Sequence, residues 1–172
     1  MSFNNLALND ALAKDISLAV TRALRDTFNV DVTADPPEYG DGMVSLVGDT
    51  SGIIAIVQSR LEGTMMLCVT FETVRDLLPQ IVGPSVAITH EMVADAVGEL
   101  TNMVFGQVKN ELNQRGLQIK LGIPCVVTGK GHFVSQFHRG KYMIVPFHLD
   151  GRLFQVYVAL HEQATHNGKA AS

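Results

Sequence analysis

Apolar residues recur at helical spacing in two parts of the chain. The first set is Leu12, Ile16, Ala19, Val20, Ala23 and Leu24. Its three- and four-residue intervals predict a helix that starts at a cap on Asn9 or Asp10 and ends near Phe28. The second and longer set runs from Thr89 to about Arg115. Thr89 is its predicted N-cap, Glu91 and Asp95 lie in or near the first turns, where the helix dipole favours acids, and Gly116 is its stop. Elsewhere the pattern shifts to short apolar runs that read as strands: Met43–Val47 before a GDTSG turn, Ile53–Arg60 before a Glu62-Gly63 turn, and Thr64–Thr70. The segment ADPPEYGDG (34–42) reads as a loop, because two prolines and two glycines stop regular structure. Phe71–Val82 reads as a short helix broken at Pro79 and closed by Gly83-Pro84. Short strands are predicted at Leu117–Leu121 and Cys125–Thr128, around Pro124. Tyr142–Leu149 and Leu153–Leu160 flank Asp150-Gly151, a type I′ hairpin signal. The tail HEQATHNGKAAS, from about 161, is polar and predicted to be frayed. With no internal repeat or low-complexity linker, these elements predict one α+β domain over 1–172, an antiparallel β-sheet with helices packed on it.

The long helix separates into two faces. At about 100° per residue, Val93, Ala96, Val97, Leu100, Met103, Val104 and Val108 share the core side. Asp95, Glu99, Asn102, Gly106 and Lys109 fall on the other. Glu99 and Asn102 are neighbours one turn apart, and Gly106 follows on the same ridge. A glycine inside a helix costs about 1 kcal/mol relative to alanine, so its presence asks for a reason, commonly close approach of another backbone. By itself Glu-x-x-Asn is a short, common pattern that an ordinary solvated helix face also produces.

Composition narrows the classes. An apolar fraction of 47% and a charged fraction of 17% suit a globular domain with a sizeable core. Thirteen basic and 17 acidic residues give a net charge of -4, without the clustered lysines and arginines that nucleic-acid binding requires. Ile53–Val57 and Met65–Val69 are too short to span a bilayer. No basic segment leads into an apolar stretch at the N-terminus, so no signal peptide is expected and the location is expected to be cytoplasmic. Cys68 and Cys125 lie among apolar residues and read as buried, reduced thiols.

The segment DAVGELTNMVFGQVKNEL resembles the CheC/CheX/FliY family of chemotaxis phosphatases, in which E-x-x-N sits on a long helix and is followed by a glycine and often a lysine. The matching residues are Glu99, Asn102, Gly106 and Lys109. GIPCVVTGKGH (122–132) is similar to the family's proline-led strand and glycine turn, and the order of elements agrees over roughly 8 to 160. No other glutamate is followed three residues later by asparagine, so the chain has one copy of the motif. One copy is similar to the CheX-like members, which are homodimers with one site per subunit. CheC-like members typically carry two, and FliY-like members usually have extra domains.

The resemblance implies a reaction, hydrolysis of the aspartyl phosphate on a response-regulator receiver domain such as CheY. It implies that the protein needs no cofactor of its own, since the receiver supplies Mg²⁺. Asn102 would position the attacking water and Glu99 would pair with the receiver's lysine. Gly98 and Gly106 would keep the approach open, with Asp95 and Lys109 as rim contacts. A homodimer is implied too, and the apolar hairpin YMIVPF/LFQVYVAL is expected to share a sheet across subunits. The alternative is a non-catalytic receiver-binding or flagellar and signalling assembly module of the same fold. Other chemistry finds little support. HEQATH (161–166) has one residue too many for a zinc-binding H-E-x-x-H, and His132, His138 and His148 lack ligand spacing. A Cys125–His132 nucleophile is disfavoured by the apolar setting of the thiol. GDTSG and GKGH lack the phosphate-loop pattern, and no pocket signature points to a small-molecule sensor.

Overall fold

Local side-chain chemistry starts both long helices. The Asn9 side chain accepts from the Leu12 N–H at 3.0 Å and opens α1, Asp10–Phe28. Asn29 ends it in the left-handed conformation, φ 53°, donating its N–H to the Arg25 carbonyl. Thr89 accepts from the Met92 N–H at 3.2 Å and opens α4, His90–Gln114. The computed structural model describes residues 6–42, 46–58, 61–132 and 140–162. The remaining elements are β1 (Thr33–Ala34), β2 (Glu38–Asp41), β3 (Thr50–Gln58), β4 (Leu61–Val69), α2 (Phe71–Leu77), α3 (Pro79–Val82), β5 (Lys120–Leu121), β6 (Cys125–Thr128), β7 (Lys141–Leu149) and β8 (Arg152–Glu162).

All strand pairings among these residues are antiparallel, in the order β1-β7-β8-β4-β3-β5. β2 lies beyond β1 along the same edge of β7, and β6 beyond β5 along the same edge of β3. Each outer edge is thus one interrupted strand. Pro36 and Pro37 fall in the break on one side and Pro124 on the other, as expected of residues that cannot donate to a ladder, while Gly122 still donates its N–H to the Ala55 carbonyl at 2.9 Å. Alternate strand residues build the main core. Ile54 and Ile56, Met65 and Leu67, Met143 and Val145, and Val156 and Val158 are buried with the apolar faces of α1, α2 and α4. Met66, Cys68, Ile144, Tyr157 and Ala159 form a smaller cluster on the opposite face. The architecture is α+β, an antiparallel sheet with helices on one face. No helix among the described residues is long and apolar enough to cross a membrane.

Several expectations change. The segment 34–42 contains β2, whose Glu38–Asp41 pair with Ile144–Lys141, so the prolines interrupt an edge strand, Gly40 lies within it and Gly42, φ 90°, follows its end. Of the predicted strand at 43–47, residues 43–45 lie outside the described residues, and Leu46 and Val47 are not in a strand. Thr50–Gly52 belong to β3 and pair with Val69–Leu67, so the turn ends before them, at Gly48, φ 102°, and Asp49. Glu62 and Gly63 are inside β4, because the ladder continues to Gln58 and Leu61. A Cβ on Gly63 would meet the Ala159 carbonyl at 2.3 Å, so close packing of β8 requires the glycine. The ladder near Leu117–Leu121 is confined to Lys120–Leu121, since Gln118 at φ 54° breaks the extended path. Asp150 at φ 49° and Gly151 at φ 77° make the expected primed turn. The strand after it runs to Glu162, and the tail from 163 lies outside the described residues. Cys68 is buried, and desolvation pushes its thiol up to about 12. Cys125 is exposed, because β6 is an edge strand and its apolar neighbours do not enclose it.

Candidate functional site

The buried face of α4 is Val93, Val97, Leu100, Thr101, Val104, Phe105, Val108 and Leu112. Ala96 and Met103, expected in the core stripe, are half-buried at its margin, while Thr101 and Phe105 are wholly covered. The cause is the width of the packing arc: α4 lies on the sheet and is also flanked by α1 and β6. Thr101 meets the sheet at Gly52. A Cβ there would fall 1.8 Å from the threonine Oγ1, so only glycine lets the helix lie this close. The Thr101 hydroxyl, turned away from water, donates to the Val97 carbonyl at 2.6 Å. At its far end α4 is fastened to α1, where Arg115 donates two hydrogen bonds, at 2.8 and 2.7 Å, to the buried carboxylate of Asp15. That carboxylate raises the Arg115 pKa further above its ordinary value.

The opposite face of α4 carries the residues singled out by the sequence. Asp95, Glu99 and Asn102 are exposed, and Gly106 and Lys109 are half-buried beside them. Gly98 is turned toward β6, where a Cβ would lie 3.5 Å from Val126 Cγ2, an ordinary contact. A Cβ on Gly106 would meet nothing within 4 Å. No described neighbour therefore requires glycine at Gly106. Among the described residues, neither Glu99 nor Asn102 is engaged in a hydrogen bond or ion pair through its side chain. Both are available to a partner.

Gly106→Ala is accordingly expected to raise stability by about 0.5–1 kcal/mol, since alanine fits and favours the helix. Urea denaturation checks this, and a loss of stability would show that the position is sterically restricted.

Along one flank of the ridge runs an open groove of about 380 Å³, formed by Phe28 of α1, Leu78, Ile81 of α3, and Met92 and Met103 of α4, with Asp95 and Glu99 on its lining. The Thr27 hydroxyl reaches the Met103 sulfur at 3.6 Å. The walls of this groove come from three separated segments, so no local sequence pattern marks it. His132 is not paired with Cys125. Its Nε2 is 2.7 Å from Ser51 Oγ and its Nδ1 is 2.9 Å from the Gly129 carbonyl oxygen.

Two long helices on an interrupted antiparallel sheet, with a carboxylate and a carboxamide on the outward ridge of α4, define an α+β domain of the CheC-like fold. Residues 41–148 match the family model of chemotaxis phosphatase CheX, and the chain belongs to that family. Among solved structures, a putative chemotaxis protein from Desulfovibrio vulgaris Hildenborough is 24% identical over 90% of this chain and 100% of its own, with TM-score 0.79. A CheC-like superfamily protein from Shewanella sp. PV-4 is 26% identical over 90% of this chain and 99% of its own, with TM-score 0.77. A chain of the CheX–CheY–BeF3–Mg²⁺ complex from Borrelia burgdorferi is 23% identical over 87% of this chain and 97% of its own, with TM-score 0.70. No curated protein sequence matches.

Proposed function

We propose that this protein hydrolyses the aspartyl phosphate of a CheY-like receiver domain, with Asn102 and Glu99 as the residues that act on it. The observation that carries the reading is the outward ridge of α4, where a carboxylate and a carboxamide stand side by side, exposed, beside a glycine that no neighbour among the described residues requires. The Borrelia complex of a similar fold with CheY supports a receiver as the partner.

The chemistry asks little of the phosphatase. The receiver brings the phosphoryl group, its Mg²⁺ and a lysine, so this chain needs no metal of its own. A phosphoryl transition state is loose, and positioning supplies most of the catalysis. A carboxamide accepts from and donates to one water at once, which suits Asn102 for holding the nucleophile in line. Glu99 pairs with the receiver lysine and sets the angle of entry. Gly98 and Gly106 leave room for the receiver's loops, and Asp95 and Lys109 meet its rim. The test is the release of inorganic phosphate from phosphorylated receivers in the presence of this protein. Binding without acceleration would leave a docking module and remove the catalytic role.

We also propose a homodimer. The C-terminal hairpin cannot join two sheets through its own edges, because β7 and β8 are both interior strands, with neighbours on each side. Sheet sharing would have to use an outer edge, β1–β2 or β5–β6. Light scattering at micromolar concentration is expected to give twice 18.7 kDa; a species of 18.7 kDa alone would overturn the dimer.

A further inference from the structure

The groove beside the ridge joins two kinds of surface. Its floor is apolar and closed: Phe28, Leu78 and Leu100 are 2%, 5% and 3% exposed. Its walls are apolar and open, with Ile81 52% exposed and Met92 and Met103 half-buried. The charged residues of the lining are Asp95 and Glu99, both carboxylates, with no lysine, arginine or histidine among them. Glu99 belongs to the groove and to the Glu99–Asn102 ridge at once, so an object that meets the ridge lies across the groove mouth.

From this continuity we infer that the groove is a second docking element for the same receiver, and takes a receiver segment that carries an apolar side chain next to a lysine or arginine. The inference rests on the receiver reading given above. The apolar side chain covers Ile81 and the methionines, whose flexible thioethers adapt to its shape. The neighbouring cation meets the Asp95 carboxylate, one turn from the Glu99 that pairs with the receiver lysine, since opposite charge across an interface steers encounter and fixes register. Nucleic acid does not suit a mouth lined with carboxylates. The division of labour is then spatial: Asn102 serves the phosphoryl group, and the groove selects which receiver is presented to it.

The experiment measures dephosphorylation kinetics with a phosphorylated CheY-type receiver, and binding of the same receiver loaded with beryllofluoride and Mg²⁺. Ile81→Glu places a charge on an already exposed site, so folding is retained. It is expected to raise KM and the Kd roughly tenfold, with kcat within about twofold, as for loss of a central apolar contact. Ile81→Leu is expected to restore both constants. Asp95→Lys is expected to raise KM and to reduce the weakening of binding by salt, the remainder belonging to the Glu99 pair. Leu18→Glu is the control. Leu18 is 48% exposed on α1 and is not part of this groove, and a glutamate there faces Lys14 and Arg22 one turn away on either side; KM and kcat should not move. If Asn102→Ala lowers kcat but Ile81→Glu leaves KM and Kd within twofold, the groove inference fails and the phosphatase reading stands. If wild-type protein neither binds nor dephosphorylates the receiver, the receiver reading fails and takes the groove with it.

Discussion

Asn102→Ala is expected to lower kcat for receiver dephosphorylation on the order of 10²-fold while apparent affinity changes little. In the proposed mechanism the carboxamide acts through the water in the transition state, and a misplaced nucleophile costs about that much. Glu99→Ala is expected to behave differently. It should weaken binding by roughly 1–2 kcal/mol if its lysine partner is partly desolvated, and the loss should shrink at high salt, where exposed charge pairs are screened. Phosphate-release kinetics for both variants at two ionic strengths separate the roles. An Asn102→Ala protein with unchanged kcat would end the water-positioning mechanism.

The second large effect concerns the other face of the same helix. Leu100 is 3% exposed and packs in the main core, so Leu100→Ala is expected to cost about 2–5 kcal/mol, the range for emptying a buried leucine site. Asn102, two residues on and exposed, is expected to change stability by no more than roughly 0.5 kcal/mol when truncated. Chemical denaturation of the two variants gives the comparison. A strongly destabilised Asn102→Ala would make the carboxamide a structural group and remove it from the site.

The parts of this fold that could be read from the sequence are those decided within a few residues. Asn9 and Thr89 cap their helices through hydroxyl or amide groups three residues from the N–H they satisfy. Asp150-Gly151 turns the chain because both residues adopt positive φ. The outward ridge followed from helical period alone. What escaped depends on distant partners. Glu38–Asp41 become a strand because β7, some hundred residues later, presents an edge to them. Gly63 looks like a turn residue until β8 is laid against it. Thr101 can be wholly covered because Gly52, some fifty residues earlier, makes room for it. The groove is assembled from α1, α3 and α4, and no local pattern encodes the meeting of three segments.

The notch at Gly52 has a consequence for how this domain can diversify. It fixes the depth at which α4 lies on the sheet, so any side chain introduced there lifts the helix and shifts every group on its outer surface together. Residues on that outer surface touch no such constraint. On the proposed receiver reading, a lineage carrying this fold can therefore exchange partners by drift at Asp95 or Lys109 while its seat on the sheet is held still, and inherit new specificity without having to rediscover the scaffold.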